Sequence, residues 1–358
     1  MNYIWSKKSL LDFIYKNIIN VVWNKNFILS DLFAWTGIVW RYFKEKWHQV
    51  IANDMQYYSY VLNRNYIWNH TDLYFSWLIW EIPELFTGNV NNYKEIVCEY
   101  LNNLPWKKGF IYKNYSLSGT KWTEFERQYF SDENALKCDA IRNKIEKWKK
   151  EEKIIENEYY FLLASLIEAT DKVANTASVY GAFLKQLKKS ALKPLLLKPA
   201  FYFHNDQDHF VYNQDVNFLI KETSHDVVYL DPPYNERQYS ANYHLLETIA
   251  KYDNPQIRWK TWLRDYSKQK SRYCQKQEVL KSFHDLVQNI DAKYIFLSYN
   301  DEWLMTLEEI KEIMSQRWEY WVLTQEYRRF KADKTENRNH VKDKTIEYLH
   351  YVKILKID

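Results

Sequence analysis

The chain has 358 residues, of which 46% are hydrophobic and 27% are charged, and its formal net charge of +4 weakly favours a polyanionic partner. This is enough apolar material for one large α/β domain or a domain with an insert, and no apolar run is long enough to span a membrane. No signal peptide is expected, and the three cysteines lie far apart without metal-ligand spacing, so we expect a reduced, cytoplasmic protein.

The tryptophan content is abnormal. The chain has 16 Trp and 5 Gly, whereas glycine ordinarily makes up about 7% of residues. Trp35 stands in a loop where backbone must approach a ligand, and Trp47, Trp303 and Trp318 stand where a helix or turn should end in a left-handed residue. We hypothesise that most or all tryptophans stand for native glycines, through a UGA codon that some bacteria read as glycine. The alternative is a genuinely tryptophan-rich protein.

The first elements predict a helix and then a strand–loop–helix unit. Residues 2–8, Asn-Tyr-Ile-Trp-Ser-Lys-Lys, precede apolar residues at helical spacing. Residues 26–43 form the second unit, in which Asp31 and Phe33 lead into a loop that contains Trp35 and Gly37. Glycine in such a loop allows a tight turn and a close approach of the backbone to a ligand.

A second strand is predicted over Val50-Ile-Ala-Asn-Asp54, and it ends in an acid. A carboxylate at that position can accept both hydroxyl groups of a ribose, as it does in dinucleotide-binding folds. Capping of the following helix is the alternative role, and the two roles are compatible.

The character of the chain changes between residues 84 and 204. A loop-rich, aromatic and basic stretch is followed by predicted helices over residues 134–150, 156–172 and 180–189. We therefore divide the chain into a catalytic domain, residues 1–83 and 205–358, and an inserted helical region, residues 84–204. Basic side chains of the insert suit phosphate contacts, although each of them alone is more simply a solvated surface residue.

The stretch that organises the chain is Asp226-Val-Val-Tyr-Leu-Asp-Pro-Pro-Tyr234. Residues 227–230 predict a strand buried on both faces of a parallel sheet, and Pro232 and Pro233 then impose a stiff turn. Ligands bind at the carboxyl ends of such strands. Asp231 and the Pro232 carbonyl supply acceptors and Tyr234 supplies a flat ring, a set that suits a planar base with an exocyclic amine. A plain strand-ending turn is the alternative interpretation.

Three further segments complete the sheet and its surroundings. Residues 210–220 predict the strand before the catalytic one, with Asp215 as a candidate acid or a plain loop residue. Residues 254–276 predict a basic loop suited to a DNA backbone. Residues 293–300 predict another buried strand, and the segments around 327 and 345–352 predict a closing antiparallel pair.

Asp231-Pro-Pro-Tyr234, with its continuation from Asn235 to Ala250, resembles the Dam-type DNA adenine methyltransferases. Read with glycine at positions 5, 35 and 40, the N-terminal segment and the first loop also resemble that family's Tyr-Ile-Gly-Ser-Lys and glycine-loop motifs. The resemblance covers nearly the whole chain. It implies an α/β fold, a Rossmann-like methyltransferase sheet with an antiparallel C-terminal hairpin, and a target-recognition role for the insert.

The resemblance also implies site-specific methylation of adenine N6 in double-stranded DNA, with S-adenosyl-L-methionine as methyl donor and the target base flipped out of the stack. It implies a restriction–modification system whose cognate endonuclease acts separately, and neither a metal nor a membrane takes part. Its catalytic residues would be Asp231, Pro232, Pro233 and Tyr234. Its cofactor-binding residues would be Tyr3, Trp5, Lys7, Asp31, Phe33, Trp35, Gly37, Asp54 and Asp215, with Lys7 on the cofactor carboxylate.

Three other functions remain open from the residues. Cytosine-N4 methylation uses the same chemistry, although Asp231 argues against it. Methylation of RNA or of a protein glutamine usually has Asn in place of Asp231. An inactive DNA-binding module would result if Trp5 and Trp35 block the cofactor pocket.

Overall fold

The computed structural model describes residues 7–23, 26–177, 179–233, 235–258, 261, 263–300, 304–328 and 344–354. Within these residues, none of the helices combines the length and the apolar character that crossing a bilayer requires. Tyr3, Trp5, Tyr234 and Trp303 lie outside the described residues.

Seven strands of the described chain form one sheet in the order β3-β2-β1-β4-β7-β9-β8. The strands are β1 (Ile28–Asp31), β2 (Gln49–Asn53), β3 (Phe210–Tyr212), β4 (Val227–Leu230), β7 (Tyr294–Asn300), β8 (Tyr320–Arg328) and β9 (Lys344–Lys353), and a separate pair consists of β5 (Ile257–Arg258) and β6 (Leu263–Arg264). The first five strands in this order, β3, β2, β1, β4 and β7, are parallel to one another. Strand β9 runs antiparallel to both β7 and β8. The predicted fold class and antiparallel C-terminal hairpin are confirmed.

The burial of β4 explains its central place in the sheet. All four of its residues are buried, as expected for an apolar strand that is covered on both faces. Its register pairs Tyr229 with Asp31 of β1 and Leu230 with Leu297 of β7. Because these strands are parallel, the residues that follow β1, β2 and β4 meet at one edge of the sheet.

The helices surround this sheet or form the middle of the chain. In chain order they are α1 (Leu11–Val22), α2 (Ile38–Glu45), α3 (Tyr57–Asn63), α4 (Glu84–Thr87), α5 (Tyr93–Asn102), α6 (Phe110–Tyr115), α7 (Leu117–Thr120), α8 (Asp132–Lys150), α9 (Glu156–Val173), α10 (Val216–Leu219), α11 (Tyr239–Asn242), α12 (His244–Lys251), α13 (Val279–Asn289) and α14 (Leu307–Ser315). Local capping sets several starts: Ser131 accepts the Asn134 N–H at α8, and Thr306 and Glu309 form a capping box at α14.

The helix expected over residues 180–189 does not form. The Tyr180 N–H donates to the Asn242 carbonyl at 2.7 Å, and the Leu184 N–H donates to the Asn175 carbonyl at 2.9 Å. Tertiary hydrogen bonds therefore use backbone donors that a helix would need, and the segment consists of turns and bends.

Two compact units divide the described chain. One comprises Arg64–His204 and Ser240–Lys268, and the other comprises Asn2–Asn63, Asn205–Tyr239 and Gln269–Asp358. We call them the helical unit and the sheet unit. One junction falls after His204, and residues 64–83 and 240–268 belong to the helical unit. The predicted division into a catalytic domain and an insert stays a prediction. Arg64 pairs with Glu156 at 3.0 Å, and Arg142 donates to the Ile249 carbonyl at 3.0 Å, so contacts rather than chain order set this division.

Several tryptophans have a backbone conformation that favours glycine. Positive φ angles occur at Trp23 (56°), Trp35 (48°), Trp47 (68°) and Trp318 (155°). Trp23 ends α1 as a left-handed cap and is 90% exposed, and a left-handed residue after a helix is usually glycine. Trp148 differs: it is fully buried in α8, and its Nε1 donates to Glu81 at 3.1 Å. The substitution hypothesis therefore gains support at the four positive-φ positions but not at Trp148.

Candidate active site

Asp231 lies directly after β4, at the carboxyl edge of the sheet. Its side chain is 14% exposed, and its Oδ1 lies 3.3 Å from Lys7 Nζ. Burial is the main cause of a pKa for Asp231 of about 6; Lys7 lowers that pKa, whereas Glu347 raises it. A carboxylate with this pKa is ionised at neutral pH and accepts hydrogen bonds. Pro232 is buried and Pro233 is half-buried beside it.

Lys7 is buried in the short helix Lys7–Leu10 that leads into α1. Its ammonium lies 2.5 Å from Glu347 Oε1 as well as 3.3 Å from Asp231. Burial lowers the pKa of Lys7, but the two carboxylates outweigh burial and the net pKa is raised. The ammonium has three donors, and these two carboxylates are contacts that it makes within the sheet unit.

Asp31 ends β1 and faces the same region. It is 3% exposed, and its Oδ1 accepts the Phe33 N–H at 3.3 Å. Burial raises the pKa of Asp31 well above its ordinary value, and the charge of Asp231 adds to this rise. Two carboxyl groups in one dry site disfavour each other's ionisation, and a cation between them would relieve that repulsion.

The loop after β1 turns tightly at Gly37. Gly37 has a φ of 72°, and its N–H donates to the Ala34 carbonyl at 2.6 Å. A Cβ at Gly37 would lie 1.4 Å from the Trp40 ring, so position 37 requires glycine both for its φ and for the space available. The Ala34 N–H donates to the Asn53 carbonyl at 2.9 Å, which ties this loop to the end of β2.

Trp35 occupies the middle of this loop with a φ of 48°. Its ring packs edge-on against Tyr239 with 4.4 Å between the centroids. Its N–H donates to Asp54 Oδ2 at 2.8 Å, and its carbonyl accepts a short hydrogen bond from Ser59. The backbone of this residue therefore builds the loop, while its ring takes up space beside the site.

Asp54 follows β2, as the sequence predicts, and both of its oxygens are oriented by backbone donors. Oδ2 accepts the Trp35 N–H at 2.8 Å, and Oδ1 accepts the Gln56 N–H at 2.7 Å. A carboxylate offers about four acceptor positions, which is the type of group that ribose hydroxyls bind. The Gln56 contact lies before α3 begins at Tyr57, so the alternative role of Asp54 as a helix cap stays a prediction.

Asp215 caps α10, because its side chain accepts the Asn217 N–H at 2.9 Å. It also contacts Arg272 at 3.2 Å. Both residues line a cavity of about 730 Å³, a volume that counts the space open to solvent. Further residues of the wall are Phe33, Trp35, Asp54, Met55, Asp231, Pro233, Gln238, Tyr239 and Tyr273.

An adjoining cavity of about 290 Å³ shares Phe33, Trp35 and Asp231 with the first and is also lined by Lys7 and Asp31. The described candidates are thus brought to one edge of the sheet, around two adjoining cavities, with Gly37 in the loop beneath them. The apolar rings and Asp215 suit a purine, Asp54 suits a ribose, and Lys7 with Asp31 suits an amino-acid carboxylate and ammonium. This donor set fits S-adenosyl-L-methionine.

Two arginines of the basic segment between residues 254 and 276 are engaged in ion pairs, and the predicted contact of this segment with a DNA backbone stays a prediction. Arg264 is buried against Asp253 at 2.7 Å, and Arg272 is engaged with Asp215 on the cavity wall. Ion pairs within each unit therefore hold both arginines, and neither is presented as a free phosphate ligand. Arg272 marks this segment as part of the cavity wall.

Three groups of site residues were not identified from the sequence. Glu347 reaches Lys7 from β9. Asn53 joins the loops after three strands, since its Nδ2 donates to the Leu32 carbonyl at 3.2 Å and the Gln214 carbonyl at 3.1 Å. Gln238 accepts the Ser271 N–H at 2.8 Å and joins the catalytic turn to the cavity wall. A polar residue inside or just after an apolar strand is the signal that Glu347 and Asn53 carry.

A sheet of this order, with an Asp-Pro-Pro turn and an acid-lined cavity at its carboxyl edge, defines an S-adenosylmethionine-type methyltransferase fold. The chain belongs to the D12 class N6 adenine-specific DNA methyltransferase family, whose model matches residues 3–316. It is therefore an adenine-specific DNA methyltransferase, and DNA is its substrate.

Individual relatives are similar over nearly the full chain. The Type II methyltransferase M.NlaIII of Neisseria lactamica is 51% identical over 98% of this chain and 98% of its own length. M.CviAII of Paramecium bursaria Chlorella virus 1 is 35% identical over 99% and 98%. M.FokI of Planomicrobium okeanokoites is 38% identical over 98% of this chain, which spans only 52% of that protein.

Proposed function

We propose that this methyltransferase transfers the methyl group of S-adenosyl-L-methionine to N6 of an adenine flipped out of a specific double-stranded DNA site. We further propose that it protects DNA within a restriction–modification system in the cytoplasm, with a cognate endonuclease acting separately. The names of its relatives, which are Type II methyltransferases, support this setting. The observation that carries the proposal is Asp231, a buried acceptor at the wall of both cavities.

The residues of the sheet unit would bind the cofactor in one orientation. Lys7 and Asp31 would take the carboxylate and ammonium, Asp54 the ribose, and Asp215 the edge of the adenine. When bound, the cofactor supplies a methyl group already activated on a sulfonium. The described part of this site has several acids but one ammonium, that of Lys7. This surplus of acids favours the positive charge of the cofactor's sulfonium electrostatically.

Asp231 would accept one hydrogen of the target amine, and the Pro232 carbonyl would accept the other. Two acceptors fix the amine so that its nitrogen lone pair faces the methyl group, which makes positioning the main contribution to the rate. After transfer, the ionised Asp231 is the base within reach for the proton that the nitrogen loses. Tyr234, predicted to stack on the flipped base, lies outside the described residues, and its role stays a prediction.

A methyl-transfer assay on the purified full chain tests this proposal. Unmethylated duplex plasmid is incubated with S-adenosyl-L-methionine and digested to nucleosides, which are separated by liquid chromatography and mass spectrometry. N6-methyladenine is the expected product, and long-read sequencing of the same plasmid gives the recognition site. Asp231→Ala should reduce the rate by about a hundredfold to a thousandfold, as loss of a group central to transition-state stabilisation does. The matched control Asp208→Asn, at an exposed acid of the same unit, should not.

N4-methylcytosine as the only product would overturn the assignment of the target base. Methylation of RNA or of a protein instead of DNA would overturn the substrate. The inactive-binding alternative has one observation in its favour, because Trp35 lines both cavities. DNA binding without methyl transfer, both in the chain as written and after Trp35→Gly, would establish that alternative.

A further inference from the structure

A buried carboxylate on the last strand has no role in the mechanism above. Glu347 lies in β9, paired with Asn300 of β7 and Gln325 of β8, and its side chain is only 1% exposed. Removing a carboxylate from water is unfavourable unless partners compensate for the lost hydration. The partners of the Glu347 carboxylate therefore indicate the role of this side chain.

Two partners converge on one oxygen of Glu347. Ser298 Oγ donates to Oε1 at 2.5 Å, and Lys7 Nζ lies 2.5 Å from the same atom. Ser298 faces Leu349 in the β7–β9 register, so Glu347 is its diagonal neighbour on the same face of the sheet. The sheet thus holds Glu347 from β7, and Glu347 in turn holds the ammonium of Lys7.

The same ammonium reaches Asp231, the acceptor at the catalytic turn. Lys7 Nζ is 2.5 Å from Glu347 and 3.3 Å from Asp231, so one cation serves two acids. With both acids ionised, this triad carries one net negative charge, and its three side chains are largely shielded from water. Glu347 therefore affects Asp231 in two opposed ways, by fixing Lys7 beside it and by repelling its negative charge.

We propose that Glu347 is a positioning residue that holds Lys7 against Asp231 and thereby sets both the orientation and the ionisation of the catalytic carboxylate. The inference deepens the proposed methyl transfer and rests on it. The other titratable groups facing Asp231 or its ion pair are Asp31 at the end of β1, Tyr229 in β4 and Tyr327 in β8. None of them supplies a second ammonium, so Glu347 and Lys7 act as a pair.

Glu347→Gln tests the idea because it keeps the shape and removes the charge. Without the charge of Glu347, the carboxyl of Asp231 ionises more easily. The acid limb of the kcat–pH profile should therefore move to lower pH by about one unit, and kcat at pH 8 should fall about tenfold as Lys7 loses its anchor. A purely structural role would lower thermal stability and leave the acid limb in place. Glu312→Gln, at an exposed glutamate of α14, is the matched control.

A double-mutant cycle separates an effect through Lys7 from a direct one. In a Lys7→Met background, Glu347→Gln should cause no further loss of kcat and should restore part of the stability, since it removes a buried charge that lacks its partner. Losses that multiply in the double variant would overturn the proposal. If Glu347→Gln does not fold, Ser298→Ala replaces it: kcat should fall while the acid limb stays in place, because the charge remains. An unchanged kcat in Ser298→Ala would also count against the proposal.

A titration without substrate distinguishes failure of this inference from failure of the proposed function. The ¹³C carboxyl signal of Asp231, assigned with Asp231→Asn, is followed against pH in the native chain and in Glu347→Gln. Its midpoint should be about one unit lower in the variant. An unchanged or higher midpoint overturns the role of Glu347 even if DNA is methylated. A wild-type chain that methylates no DNA overturns the proposed function even if the midpoint moves.

Discussion

Replacing Trp23 and Trp47 together by glycine should stabilise the sheet unit. Their φ angles are 56° and 68°, and a left-handed conformation costs a residue with a Cβ about 1–2 kcal/mol that glycine does not incur. The two side chains are 90% and 60% exposed, so their removal gives up little burial. The expected gain is about 2–4 kcal/mol, or on the order of 10 °C in Tm for a unit of this size.

Trp35 has the same backbone strain, but its ring also makes a packing contact that glycine would lose. Glycine there would relieve about 1–2 kcal/mol of strain but lose the ring contact with Tyr239, worth about 0.5–1.5 kcal/mol. The stability of Trp35→Gly should therefore change little. Its cofactor affinity should rise, by about tenfold or 1.4 kcal/mol, because the ring leaves the wall of both cavities.

Scanning calorimetry measures the change in Tm of the double variant. Titration calorimetry with S-adenosylhomocysteine measures the change in cofactor affinity of Trp35→Gly. Trp148→Gly provides the opposite-sign control, since it empties a fully buried site in the last turn of α8 and should cost about 3–5 kcal/mol. A double variant with an unchanged or lower Tm would refute the strain argument. Peptide mass spectrometry of the protein from its native host settles the codon question, and tryptophan found there at positions 23, 35 and 47 would end it.

Three further predictions concern the site. Asp231→Asn should abolish methyl transfer yet stabilise the fold by about 1–3 kcal/mol at pH 7.5. The pKa of Asp231 in the folded protein, about 6, exceeds its ordinary value of 3.8, so ionisation of Asp231 weakens the fold as pH rises between these two values. Urea titrations should therefore show that the stability gained by the variant shrinks towards pH 4.5. Asp54→Asn should weaken binding of S-adenosylhomocysteine about tenfold while kcat at saturating cofactor changes little; an unchanged affinity would leave Asp54 only its contacts with backbone N–H groups. Arg272→Ala should weaken cofactor binding a few-fold, as loss of a partly exposed ion pair does. It should leave the salt dependence of DNA binding unaltered. A weaker dependence of DNA affinity on salt concentration would instead indicate that Arg272 contacts phosphate, the role first expected for this segment.

Local sequence patterns predicted the parts of the site that depend on strand ends. An apolar run followed by an acid predicted Asp31 at the end of β1 and Asp54 and Asp231 directly after β2 and β4, and parallel strands necessarily bring such residues to one edge. Gly37 was predictable for the same reason, since a tight loop after β1 requires a left-handed residue. These inferences needed only the chain neighbours of each residue.

Partners distant in sequence could not be predicted in this way. Lys7 and Glu347 lie 340 residues apart, and nothing near either residue specifies the other. The strand around Glu347 also gave a misleading pattern, because in β9 the apolar Ile346 is exposed whereas the neighbouring Glu347 is buried. Alternation shows that the two residues face opposite sides, but it does not show which side is covered.

By itself, the sequence determined the strand–turn chemistry, the class of fold and the excess of tryptophan over glycine, because each of these depends on residues adjacent in the chain. Only the tertiary structure decided that Glu347 shares an ammonium with the catalytic acid, that Arg272 belongs to the cavity wall, and that some tryptophans carry positive φ angles whereas Trp148 is buried in a helix. The physical reason is that burial and charge pairing depend on which distant segments the sheet brings together, and this follows from the register and order of its strands.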